Sequence, residues 1–201
     1  MPGSPNVRKG IIRSNDLLQV LREDVDAAYS ILEGDRNSQY LRRCAVRAVF
    51  SYIEAMIECI KIEVRSSIRL QQYTGVLTDK ELETLGSTSI FAVRNSKFLP
   101  LDQNIKKTFK LASKVWGLKF KLATDGEDFR DFLAAKSARN RLTHPKTFYD
   151  VEVTDGDMHC HSISGVWVEH EFQRLFKTRI ESLLEGLPVE ERRAFHEQTF
   201  E

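Results

Sequence analysis

The chain has 201 residues, enough for one well-buried core and too few for two. Apolar residues make up 41% and charged residues 29%, the balance of an ordinary folded domain rather than a low-complexity tract. The formal net charge of +1 excludes a global basic excess, so any nucleic-acid contact must come from a local patch.

In chain order, Met1 to Arg13 is basic and contains Pro and Gly, and residues 1–14 read as a flexible arm. Asn15 or Asp16 is placed to cap a first helix reaching about Leu32. Its Leu17, Leu18, Val20, Leu21, Val25, Ala28 and Ile31 are spaced for one buried face, and Gly34 ends it. Ser38 opens the longest predicted helix, to about Leu70. Its apolar residues cover so much of the circumference that it belongs at the centre of a bundle or in an interface. Arg47, Glu54, Glu58 and Lys61 interrupt its most apolar part, which argues against a membrane span. Residues 71–101 interrupt the bundle. Within them Thr78-Asp79-Lys80-Glu81 is a capping box for a short helix to Leu85, and Ser87 to Pro100 reads as an ordered loop.

Asp102 can cap the next helix, to Trp116, with Gly117 as its stop. Lys106, Lys107, Lys110 and Lys114 lie off its apolar stripe and form the clearest basic concentration in the chain. They are either a solvated face or a surface that tracks RNA phosphates. Thr124 or Asp125 caps a helix over Asp128–Leu142, with Phe129, Phe132, Leu133, Ala135, Ala138 and Leu142 inward. Lys146 to Ser164 is expected to be an irregular crossover or short hairpin around Asp155-Gly156-Asp157. His159-Cys160-His161 falls in that loop, and its spacing is wrong for a structural zinc site. A last long helix carries Trp167 to Leu184 and ends at Gly186, and residues 188–201 form a charged tail helix. The sum is an all-α bundle of about five main helices, as one domain over residues 15–187.

Three cysteines, Cys44, Cys59 and Cys160, and no apolar leader in Met1 to Asn6 point to a reducing, cytoplasmic setting. Neither a Gly-rich phosphate loop nor a metal-ligand cluster is found, so no cofactor and no metal is expected.

The residues that carry chemistry are Arg139-Asn140-Arg141-Leu142-Thr143-His144-Pro145. Pro145 stops the helix, and the residue before a proline is pushed out of the α region, so His144 is expected at the break. Arg139 and His144 do not share a face on a straight helix, because five residues subtend about 500°. They converge through the reach of arginine and the break at His144, or through a second copy of the chain. Arg139-Asn140-x-x-x-His144-Pro145 resembles the Arg-x(4–6)-His motif of the HEPN superfamily, with Asn140 as the polar residue that typically follows the arginine. The resemblance implies an all-α domain, a homodimer with a composite site, and metal-independent endoribonuclease activity. It assigns His144 as acid/base, Arg139 as stabiliser of the phosphorane charge and Asn140 as a positioning group. It also admits a regulatory or antitoxin-like partner and a defence, stress or toxin–antitoxin setting.

Two supporting residues are open. Glu54 is either a solvated carboxylate at a helix edge or a group that faces the motif helix and orients Arg139. Arg141 lies outside the family pattern and binds solvent or RNA backbone. The competing readings are a non-catalytic dimerisation or binding module, for a partner protein or a nucleotide, and a ligand-binding bundle with a pocket lined by Trp116 and Trp167.

Overall fold

The structure, a computed structural model, describes residues 5–86 and 99–186, with side chains from residue 16 onward. The described residues form α1 (Pro5–Gly34), α2 (Gln39–Arg69), α3 (Asp79–Leu85), α4 (Leu101–Trp116), α5 (Glu127–Thr143), a 3₁₀ turn η1 (Phe148–Val151) and α6 (Asp155–Glu185). No strand occurs among them, and the fold is an all-α bundle. The tail helix expected over 188–201, and the Ser87–Phe98 part of the expected loop, lie outside the described residues.

α2 is the axis of the bundle. Ser38 accepts from the Leu41 N–H at its start, and Ala45, Val46, Val49, Phe50, Ile53, Met56, Ile57, Ile60 and Val64 are buried along it. Its broad apolar surface is covered by α1, α4 and α6, so that breadth is explained within one chain. α5 rests mainly on α6, through Phe129 and Phe132 against Trp167, and touches α2 only near its C-terminal end. α4 closes the remaining side with Ile105, Phe109, Leu111, Ala112 and Val115, and ends on Gly117 at φ +66, a left-handed conformation that suits glycine.

Five expectations are corrected. Asp102 lies inside α4 rather than capping it, and the N-cap is Pro100 with no side-chain cap bond. The first helix begins at Pro5 rather than at Asn15 or Asp16, which removes most of the arm; proline suits a first helical position because its missing N–H is not needed there. Its buried face is Leu18, Val25, Tyr29 and Leu32, whereas Leu17, Val20 and Ile31 are exposed because they fall off that stripe. α5 is preceded by Gly126 with no side-chain cap, so neither Thr124 nor Asp125 starts it. Most consequential, α6 begins at Asp155, about three turns before the expected start, and the crossover shrinks to η1. Thr154 and Asp157 form a capping box there, which outweighs the turn tendency of Asp155-Gly156.

Candidate functional site

The C-terminal end of α5 lies where α2, α4 and α5 meet around a cleft of about 670 Å³. Arg139, Asn140 and His144 of one chain all line it. The helix break brings this about. His144 is the residue after the last helical turn, at φ −130 and ψ 59, and its N–H still donates to the Asn140 carbonyl at 3.0 Å. Thr143 Oγ1 donates to the Arg139 carbonyl at 2.9 Å and satisfies another of the terminal acceptors.

Arg139 is held from two sides. Its Nη2 donates to Glu54 Oε1 at 2.6 Å, and its Nη1 to Asn140 Oδ1 at 3.3 Å. Glu54 thus faces the motif helix. Arg139 and Glu54 also line a second recess of about 390 Å³, together with Arg47, Ser51 and Thr143. Four further polar groups complete the cleft: Glu58, Lys61, Asn104 and Lys136. Lys136 Nζ sits 2.7 Å from Asp102 Oδ1, which bridges α5 to α4. Burial alone would raise the Asp102 carboxyl, but the Lys136 contact outweighs it and the pKa falls below the ordinary aspartate value. Lys61 is almost fully buried, and burial pulls its ammonium below the ordinary lysine range despite Glu58 3.8 Å away. Arg65 takes the other Glu58 oxygen at 2.5 Å.

Fixed cations therefore face two carboxylates, Glu54 and Glu58, with two amides and one imidazole at the rim. Each cation has a carboxylate partner, Arg139 with Glu54, Lys61 with Glu58 and Lys136 with Asp102, so a bound anion competes with them for the arginine fork and the amide N–H groups that fit non-bridging phosphate oxygens. Lys61 and Lys136 were missed in the sequence, although both carry a helical signal. Lys136 precedes Arg139 by one turn, and Lys61 follows Glu54 by two, so each pair shares a face.

The other sequence-derived residues lie elsewhere. Arg141 does not line the cleft: its Nη2 donates to Asp157 Oδ2 at 3.1 Å and to the Glu152 carbonyl at 3.3 Å, which staples the end of α5 to the start of α6. None of Lys106, Lys107, Lys110 and Lys114 lines it either. Lys106 Nζ lies 4.5 Å from the centre of the Phe129 ring, and Lys114 is paired with Glu81 at 2.7 Å. Lys107 is half-buried and Lys110 exposed.

His159, Cys160 and His161 are in α6 rather than in a loop. Two positions apart on a helix, the histidines point different ways: His159 is exposed, while His161 is buried with its Nδ1 2.5 Å from the Asp157 carbonyl. Among the described residues, no three His, Cys, Asp or Glu side chains are grouped to hold a metal ion. Burial pushes the Cys59 thiol up to about 11, so it is a poor nucleophile. The two tryptophans are taken up by packing: Trp167 against Phe129 and Phe132, and Trp116 by a bond to Ser67 Oγ at 3.0 Å and by Arg179 over its ring at 4.1 Å. No described helix is long and apolar enough to cross a membrane. Compared with protein-family models, curated proteins and solved structures, the chain matches none of them, so the resemblance to the HEPN superfamily rests on the residues at the end of α5 alone.

Proposed function

We propose that the chain is a metal-independent endoribonuclease of the HEPN type, acting on RNA in the cytoplasm without a cofactor. The observation that carries this reading is that Arg139, Asn140 and His144 share one cleft with Lys61 and Lys136. The reaction transfers the phosphodiester from the 5′ oxygen to the neighbouring 2′ oxygen. A base takes the 2′-OH proton, the 2′ oxygen bonds to phosphorus, and the 5′ oxygen leaves as it receives a proton. The products carry a 2′,3′-cyclic phosphate and a 5′-hydroxyl. His144 serves a proton transfer, a role worth about 10²–10⁴-fold in rate. Arg139 and the lysines meet the charge that builds on the non-bridging oxygens. Asn140 and Glu54 hold the guanidinium in place. The motif has one histidine and the reaction needs both an acid and a base, so the reading includes a homodimer with two motif clefts side by side.

The test is an RNA-cleavage assay in the presence of EDTA, on wild type and His144→Ala together. Cleavage by wild type alone, leaving cyclic phosphate ends and sparing DNA, supports the reading. Equal inertness of both proteins on every RNA tried replaces it with the non-catalytic binding module. Loss of wild-type activity on chelation removes the metal-free mechanism.

A further inference from the structure

A few residues beyond His144, large aromatic side chains stand in solvent on a fixed frame. Phe148 is 81% exposed and Tyr149 76% exposed, and they follow His144 by four and five residues. Their rings lie edge to face, with centres 6.0 Å apart. The turn that carries them is built firmly. The Asp150 carboxylate accepts from the Lys146 N–H at 2.9 Å, the Thr147 N–H at 2.7 Å and Thr147 Oγ1 at 3.0 Å. These bonds hold its carboxyl below the usual aspartate range. Arg43 Nη1 donates to the Val151 carbonyl at 3.1 Å and ties the turn to α2. Along α2, Tyr40, Arg43 and Arg47 recur at helical spacing on one face, and Tyr40 is 65% exposed. Arg47 then borders the recess that Arg139 also lines.

Exposed rings gain nothing from the fold, since their burial in the chain is slight. Exposed rings beside arginines are what single-stranded nucleic acid needs: flat faces for unpaired bases and positive charge for the backbone. A duplex cannot use such rings, because its bases are already stacked. Four extended residues span at most about 14 Å, so Phe148 stays within a few nucleotides of His144. A stable protein interface would want roughly 800 Å² per partner and a largely uncharged centre, which two rings among arginines do not provide.

We propose that Phe148 and Tyr149, with Tyr40, Arg43 and Arg47, form a stacking track for single-stranded RNA that leads the strand into the Arg139/His144 cleft. This rests on the ribonuclease reading and gives it a substrate class and a path. The path differs from the lysine face of α4.

The test is fluorescence anisotropy with a 2′-O-methyl oligonucleotide, which lacks the nucleophilic hydroxyl and so reports binding apart from cleavage. Its duplex and an abasic version of the same strand serve as comparisons, and circular dichroism checks the fold. Replacing Phe148 and Tyr149 together with alanine should weaken binding of the single strand by about fivefold or more, with little change for the duplex or the abasic strand. Phe148→Trp should keep the affinity. Arg47→Gln should flatten the salt dependence by about 0.7 in slope. Equal affinity of the double variant and wild type overturns the track, and if wild type still cleaves RNA the ribonuclease reading survives. Absence of wild-type binding to the single strand overturns it too. So does a double variant that falls from dimer to monomer with unchanged affinity per chain, since the rings would then cover a second copy. Ring-dependent binding by a wild type that cleaves nothing keeps the track and removes the enzyme.

Discussion

On the ribonuclease reading, replacing Glu54 with glutamine separates orientation from catalysis at Arg139. The pair is close, with Nη2 2.6 Å from Oε1, but the Glu54 side chain is 47% exposed and the Arg139 side chain 27%. Water screens such a pair, and its net worth is about 0.2–1 kcal/mol. At the upper end, losing it lowers the population of the held guanidinium about fivefold, because 1.4 kcal/mol is a factor of ten. The Asn140 contact remains, and the amide oxygen of glutamine still accepts a hydrogen bond. Glu54→Gln should therefore reduce kcat about two- to fivefold and lower Tm by no more than about 4 °C. Arg139→Ala removes the charge-stabilising donor itself and should cost about 10²–10³-fold. Single-turnover cleavage of a defined oligonucleotide, with Kd measured separately, distinguishes the two. Affinity should hold or rise in Glu54→Gln, since a carboxylate facing the phosphate has gone. A Glu54→Gln defect as deep as that of Arg139→Ala would refute the reasoning, because Glu54 would then take part in the reaction itself. An unchanged kcat would show that the ion pair does not place Arg139.

Other outcomes follow from the same geometry. Lys114→Gln should leave the salt dependence of RNA binding unchanged, because Glu81 already neutralises that ammonium; filter binding at several salt concentrations checks it. Asp102 pairs with Lys136 at the same distance, so Lys136→Gln should likewise leave that slope unchanged. Glu171 is buried and accepts from the Ala123 N–H at 3.0 Å and from Arg174 at 2.5 Å. Glu171→Ala removes both bonds to a buried carboxylate and should cost about 2 kcal/mol, a Tm drop of roughly 4–8 °C by calorimetry. Burial pushes the Asp157 carboxyl up, but bonds from Thr154 and Arg141 more than offset this and its folded pKa is depressed. Its stabilisation is therefore present above about pH 4 and lost as pH falls through the folded value, so Asp157→Asn should flatten acid melting curves in that range.

The helices whose signals are local were legible in the sequence. Apolar periodicity placed α2, Gly117 placed the end of α4, and Thr78 with Glu81 placed α3. The same box at Thr154 and Asp157 is masked in the sequence by Asp155-Gly156, which reads as a turn and shifts the histidine pair from a helix into a loop. Arg139, Asn140 and His144 were legible as a group because a proline marks where the helix must stop. Whether they share a cleft was not, since that depends on where α2 and α4 cross α5. Arg141 shows the limit most clearly. It is two residues from Arg139 and chemically the same, yet about 200° around the helix, so one guanidinium faces the cleft and the other faces α6. The lysine face of α4 misled for the complementary reason: its charges are visible in sequence, but Glu81 and the Phe129 ring come from other elements.

Asp157 Oδ2 accepts from Thr154 N–H, from Thr154 Oγ1 and from Arg141 at once, so a single oxygen pins both the exit of α5 and the entry of α6. The segment between them is a closed ring, and Arg141 and Arg43 hold its far limb by the Glu152 and Val151 carbonyls. Lengthening such a ring costs little, since doubling a loop adds only about 0.6 kcal/mol of closure entropy. The tip that bears Phe148 and Tyr149 is thus free to change in length and sequence while Arg139 and His144 stay where they are.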